Sequence, residues 1–219
     1  MAEYPPWPPP VASVTYRLRS NTSYFRSPLT GATQVTTKPG GRWEFDVQLM
    51  EMDDIILRQW IAFLAYVQEE GLTFYWNHYP KARPYAYPQG TDAGGTPPWG
   101  SPVVNGASQS GRTLVVSGLA AGATFYMGDA LAFDNGIYRE MHEIKADVTA
   151  DGTGAATFPI TPAIRTSPPN GNPILFDGHA TDPTKRCACE VIFADPAQAA
   201  VQLRNFQMDA AFKLIEMTR

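Results

Sequence analysis

The chain of 219 residues is long enough for one large domain or two small ones, and its 44% of apolar residues supplies an ordinary core. Only 17% of residues are charged, against roughly 25% in an average domain, while 20 prolines and 18 glycines call for frequent reversals of direction. A net charge of −4, with Lys185-Arg186 as an isolated basic pair, argues against specific nucleic-acid binding, and no run of about 18 apolar residues is present to insert in a membrane.

Tyr4 to Pro10 reads YPPWPPP. Proline fixes φ, so this stretch is expected as an extended polyproline II arm, either a frayed tail or one held by a neighbouring subunit. Val14, Tyr16 and Leu18 alternate with Thr15, Arg17 and Arg19, which predicts a half-buried strand over Ser13 to Thr22. A turn at Ser27-Pro28-Leu29-Thr30-Gly31 leads to a short strand at Gln34 to Thr37 and then to a second turn at Lys38-Pro39-Gly40-Gly41. Arg42 to Met50 alternates cleanly, with Trp43, Phe45, Val47 and Leu49 on one face. The one predicted helix covers 53–70. Ile56, Trp60, Phe63, Leu64 and Val67 form its apolar stripe, Asp53 or Asp54 can cap its start, and Gly71 suits the left-handed position past its end. Leu72 to Trp76 returns as a buried strand.

Pro80 to Pro102 is irregular, and a domain boundary is placed in it near Gly95. Beyond it, short strands are predicted at Thr113 to Ser117, Ala130 to Phe133, Ile137 to Ile144 and Ala155 to Ile160. Asn135-Gly136 and Asp151-Gly152 are the hairpin signals between them. Asp182-Pro183 leads out to a strand at Cys187 to Phe193, and Phe206 to Glu216 holds the last strand with Phe212 and Leu214 facing in. The first segment alone has too few elements to close a core, so the last thirty or so residues are expected to complete it. The expectation is an α+β, mainly β protein. An antiparallel β-sandwich-like domain with one helix takes residues 1–95 and 185–219, and a small β-barrel or sandwich is inserted at 96–184.

Chemistry-bearing residues are sparse. Cys187 and Cys189 share a strand face, but two further soft ligands for a zinc site are not evident, so they read as small buried core side chains. His78, His142 and His179 have no serine or cysteine in a nucleophile-elbow setting. Asp129, Asp134, Asp147 and Asp151 lie near turns, where Asp commonly bonds its own backbone. No enzyme activity, cofactor or metal is therefore expected. The aromatic residues of the Pro-rich region are the exception: Tyr75, Trp76, Tyr79, Tyr85, Tyr87 and Trp99 crowd into a stretch not expected to bury them all. Trp7, Arg26, Tyr75, Tyr79, Tyr85, Tyr87 and Trp99 are the candidate interface residues.

Two stretches carry a resemblance. Arg26 to Leu49 (RSPLTGATQVTTKPGGRWEFDVQL) followed by the helix LRQWIAFLAYVQEEGLTFYW resembles the opening of the distal tail, or tail-tip hub, proteins of long-tailed bacteriophages and gene-transfer-agent-like particles. Gly128 to Phe176 is similar to a small β-module of phage structural proteins, with Gly136-x-Tyr138-Arg139, an Asp-Gly hairpin and Pro162-x-x-Arg165-x-Ser167-Pro168. The resemblance implies a non-catalytic virion subunit made in the host cytoplasm. Copies would form a ring, usually six-fold, joining the tail tube to the hub and receptor-binding parts. The alternative is a carbohydrate-binding β-module for attachment to a host surface, for which exposed aromatic rings would serve equally well.

Overall fold

Alternating residues at 11–49 form a long antiparallel ribbon, β1 (Val11–Arg26) with β2 (Thr33–Leu49). The computed structural model describes residues 2–6, 11–50, 54–77, 83–90, 97–177, 183–195, 202–204, 207–209 and 211–218. Within these the protein is mainly β with one α-helix, and all named strands pair antiparallel, as the alternation predicts.

The turn expected at Lys38 to Gly41 is corrected to a bulge. Pairing jumps from Arg19↔Arg42 to Asn21↔Lys38, so β2 carries extra residues and continues in the same direction. Gly40 absorbs the kink at φ +110°, and its carbonyl accepts a hydrogen bond from Asn21 Nδ2 at 3.3 Å. The turn at Ser27 to Gly31 forms as expected. Ser27 N–H donates to the Ala32 carbonyl at 2.9 Å and Gly31 N–H to the Ser27 carbonyl at 3.0 Å.

The helix α1 (Asp54–Glu69) buries Trp60, Leu64 and Val67 and half-buries Ile56 and Phe63, the stripe its spacing dictates. It ends in a Schellman motif. Leu72 N–H reaches the Val67 carbonyl and Gly71 N–H the Gln68 carbonyl, with Gly71 at φ +61°. Strand β3 (Phe74–Asn77) follows. The first sheet runs β1-β2-β15-β12-β3, its other members being β12 (Ala188–Phe193) and β15 (Ala211–Glu216) near the end of the chain.

The N-terminal arm is corrected in part. Glu3 N–H donates to the Thr73 carbonyl and Tyr75 N–H to the Glu3 carbonyl, both at 2.9 Å, and Tyr4 stacks on Tyr75 with ring centroids 4.7 Å apart. Its first residues are therefore held by this chain's own β3 edge, because that edge offers unpaired backbone groups.

The second sheet takes its strands from the middle of the chain: β4 (Gly100–Val104), β5 (Gly111–Leu119), β7 (Ala130–Asp134), β8 (Arg139–Ile144), β10 (Ala156–Ile164) and β11 (Ile174–Leu175), in the order β11-β7-β8-β10-β5-β4. Strand β10 gives Ala156 to Pro159 to β5 and Ile160-Thr161 to β8, turning a corner between them. The outer strands β4 and β11 nearly close a barrel. Val103 bridges Pro173, and Val104 N–H donates to the Asn172 carbonyl at 2.8 Å. Small ladders join β6 (Thr124–Phe125) to β9 (Val148–Thr149), and β13 (Gln202–Arg204) to β14 (Gln207–Asp209). The hairpin β13–β14 is not foreshadowed by periodicity, and it divides the expected last strand into β14 and β15.

The two cores touch. Ala130, Ala132 and Met141, from β7 and β8, belong to the cluster around Trp43, Phe45, Trp60, Phe74 and Trp76. The second cluster fills the barrel with Phe125, Phe133, Phe158 and Phe176, packed largely ring on ring. The boundary placed near Gly95 lies outside the described residues.

Candidate functional site

Two exposed apolar surfaces stand apart from these cores. The first is the far part of the β1–β2 ribbon. Strand β15 pairs with β2 only from Glu44 to Gln48, so beyond the bulge the ribbon has no third strand among the described residues. A two-stranded ribbon is marginally stable on its own in water. Nevertheless it exposes Tyr24, Phe25, Leu29 and Val35, with Leu29 at the tip 94% accessible. Tyr24 lies directly opposite Val35, so these two share one face. Arg26 ends β1 and is exposed. Nearer the sheet, Arg17 Nε and Arg19 Nη1 hold the buried Glu44 carboxylate at 2.9 and 3.1 Å, which fastens the root of the ribbon.

The second surface surrounds Tyr85. This ring is 81% exposed and meets Tyr126 edge to face at 5.7 Å; Met127 beside it is 73% exposed. Together with Arg83, Gly128, Asp129 and Asp147 these residues line a cavity of about 580 Å³. Three aspartates build it. Asp129 accepts from Tyr85 N–H at 2.9 Å and from Tyr126 N–H at 2.8 Å, tying two loops together. Asp147 Oδ1 accepts from Met127 N–H at 2.8 Å, and Asp177 Oδ1 holds Arg83 Nε at 3.0 Å. The Tyr85 and Tyr126 rings lie 86° apart, so they do not form the coplanar platform on which a sugar ring stacks.

The other expected interface residues divide. Trp99 is corrected: only 3% exposed, it packs in the barrel core against Tyr87 and Phe176, because the nearly closed barrel gives this loop somewhere to bury it. Tyr87 is half-buried, with its hydroxyl accepting from Thr124 N–H at 3.0 Å. Tyr75 lies between Tyr4 and the Arg139 guanidinium, whose carbon sits 4.5 Å from the ring centre, and burial raises the phenol pKa. Trp7 and Tyr79 lie outside the described residues, as do His78 and His179.

The aspartates near turns do what turn chemistry predicts. Asp134 accepts from Gly136 N–H, and Asp151 Oδ1 accepts from Thr153 N–H, Thr153 Oγ1 and Ala155 N–H. The latter three bonds hold the Asp151 carboxyl below its usual range. Cys187 and Cys189 are buried core side chains, and burial pushes both thiols up. No group of three or more His, Cys, Asp or Glu is placed to hold a metal among the described residues, and no helix in them is long and apolar enough to cross a membrane.

A buried ionic cluster joins the sheets, and pattern reading missed it. Arg165, just past β10, donates to Glu216 of β15 through Nη2 at 2.6 Å and Nη1 at 2.9 Å, and to the Gly41 carbonyl at 2.9 Å. Glu216 also accepts Trp43 N–H at 2.9 Å and Met141 N–H at 3.4 Å, one from each sheet. Glu140 of β8 accepts from Asn135 Nδ2 at 2.7 Å and from the backbone N–H of Arg165 and Thr166, with Arg165 Nε 3.5 Å away. His142 stacks on Phe133. Its Nδ1 lies 2.9 Å from the Pro162 carbonyl, an acceptor only, so that nitrogen carries a proton; its Nε2 is 3.4 Å from Glu140. Burial pushes the Glu140 carboxyl up, but His142, Arg165 and the Asn135 amide outweigh it and bring it down to about 2. Burial would lower the Arg165 pKa as well, yet Glu216 and then Glu140 raise it. Of the residues marked by the sequence resemblance, Arg165 is in this junction and Tyr138 packs beside it, whereas Arg139 contacts Tyr75 and the Arg186 carbonyl instead. The cluster ties the two sheets to each other. Compared with protein-family models and with curated proteins, the chain matches none.

Proposed function

We propose that this chain is a structural subunit of a phage tail tip, assembling with copies of itself into a six-fold ring that joins the tail tube to the hub and receptor-binding parts. The observation that carries the reading is the pair of exposed apolar surfaces, one on the ribbon at Tyr24, Phe25, Leu29 and Val35 and one at Tyr85, Tyr126 and Met127. A closed ring needs two different patches on each subunit, since each contacts one neighbour with one and the next with the other. The resemblance of Arg26 to Leu49 to tail-tip proteins, and of Gly128 to Phe176 to a small β-module of phage structural proteins, supports the same reading, as does the low charge.

The test is the mass of the purified chain in solution, by light scattering and native mass spectrometry, alone and with tube and hub proteins. A discrete particle of about six subunits is expected, the ring order that the resemblance implies, since a heterologous contact whose rotation closes gives a ring. A chain that stays monomeric in every mixture, and binds an oligosaccharide, is instead an attachment module.

A further inference from the structure

The two apolar surfaces also differ in charge. The ribbon, residues 11–49, carries Arg17, Arg19, Arg26, Lys38 and Arg42 against Glu44 and Asp46, a formal +3, with Arg17 and Arg19 paired to Glu44. The whole chain carries −4, so the rest of it carries −7. A basic ribbon therefore projects from an acidic body. At its end Tyr24, Phe25 and Leu29 are exposed with Arg26 beside them, on a turn already fixed by the Ser27–Ala32 and Gly31–Ser27 backbone bonds. Thr30 N–H donates to Ser27 Oγ at 3.3 Å and tightens it further. Such a tip loses little freedom on docking.

The cavity at Tyr85 is its complement. Tyr85, Tyr126 and Met127 offer apolar surface, and the carboxylates of Asp129 and Asp147 stand in the wall. Among the described residues the one cation in the lining, Arg83, is engaged by Asp177 at 3.0 Å, so the described lining presents net negative charge. Lys145 is nearby in sequence but outside the lining. None of the ribbon-tip residues lines the cavity of its own chain.

We infer that the tip of the β1–β2 ribbon of one copy seats in the Tyr85–Tyr126–Met127 cavity of the next copy, with Leu29 and Phe25 as the apolar knob and Arg26 facing Asp147. The contact joins unlike patches, so it repeats head to tail, and the charge difference orients the two copies before they touch. The inference rests on the ring reading and assigns the contact that builds it.

Cysteine pairing tests it. The native thiols of Cys187 and Cys189 are buried, so single exposed cysteines can be read against them. Mixing a Leu29→Cys variant with a Met127→Cys variant under mild oxidation should give a disulfide-linked dimer well above that from either variant alone. Separately, Leu29→Asp, at a position without burial, should leave thermal melting unchanged and weaken assembly about thirtyfold, the effect of losing one central contact residue. If wild type assembles while Leu29→Asp assembles equally well and no mixed dimer forms, this contact is overturned and the ring reading stands. A wild type that never assembles overturns both. Assembly retained in Tyr85→Ala, with loss of binding to an oligosaccharide that wild type holds, would give the cavity to a glycan and also overturn the inference.

Discussion

Glu140 shows how one side chain ties stability to pH. Its carboxyl is fully buried, and its folded pKa of about 2 lies below the ordinary 4.5. A depressed carboxyl pKa means that the unfolded chain binds the proton more readily than the folded one. The stability it contributes is therefore complete above about pH 4.5 and is lost as pH falls from there towards 2. The loss over that window is roughly 3 kcal/mol. Urea melts at a series of pH values should show this acid limb, and Glu140→Gln should flatten it while lowering stability at neutral pH. An acid limb of equal steepness in the variant would mean that other carboxylates cause it. The sequence did not disclose this residue. Glu140 sits in a mostly polar stretch, REMHEI, so no apolar period marks it for burial; His142 is its same-face neighbour two positions along, but Arg165 meets it only by folding.

Among the elements, glycines separate conformational need from space. Gly71 ends α1 at φ +61° with nothing within 4 Å of an added Cβ, whereas Gly154, at φ +78°, would drive a Cβ into the Leu119 carbonyl. Gly71→Ala should therefore cost only the left-handed strain, about 1 kcal/mol. Gly154→Ala adds a backbone collision across the Gly154–Leu119 bond and should cost at least about 2 kcal/mol more, as over-packing against a rigid group does. Thermal melts of the two variants check the order; equal losses would show that the β9–β10 turn relaxes freely. Gly71 was readable in advance because a helix end is a local event. The bulge at Gly40 was not. Pro-Gly-Gly suits a turn and a bulge alike, and only pairing with β1 over its whole length selects the second.

At the scale of the molecule, the junction of Arg165, Glu216 and Glu140 couples the two sheets together with the shared packing of Met141 and Trp43. Coupled units unfold as one. Calorimetry should give a single transition for wild type. Arg165→Ala leaves two carboxylates buried without their cation, so it should cost about 3–5 kcal/mol and divide the transition in two. One unshifted transition in the variant would mean that apolar packing alone carries the coupling.

The sequence by itself determined the local pieces: the mainly β class, the helix with its buried stripe, the turn at Ser27 to Gly31, the hairpin around Asn135, and the aspartates that serve turns. Each depends on residues a few positions apart, so period and turn chemistry suffice to read it. Tertiary structure alone decided which aromatic rings face water. Trp99 and Tyr85 stand in the same Pro-rich stretch, but the nearly closed barrel takes in the first and leaves the second outside. It also decided that Arg165 meets Glu216 across 51 residues of chain, and that the N-terminal arm begins on its own β3 edge. Such contacts depend on how distant strands are brought together, and burial is a property of the closed surface, which no local run of residues contains.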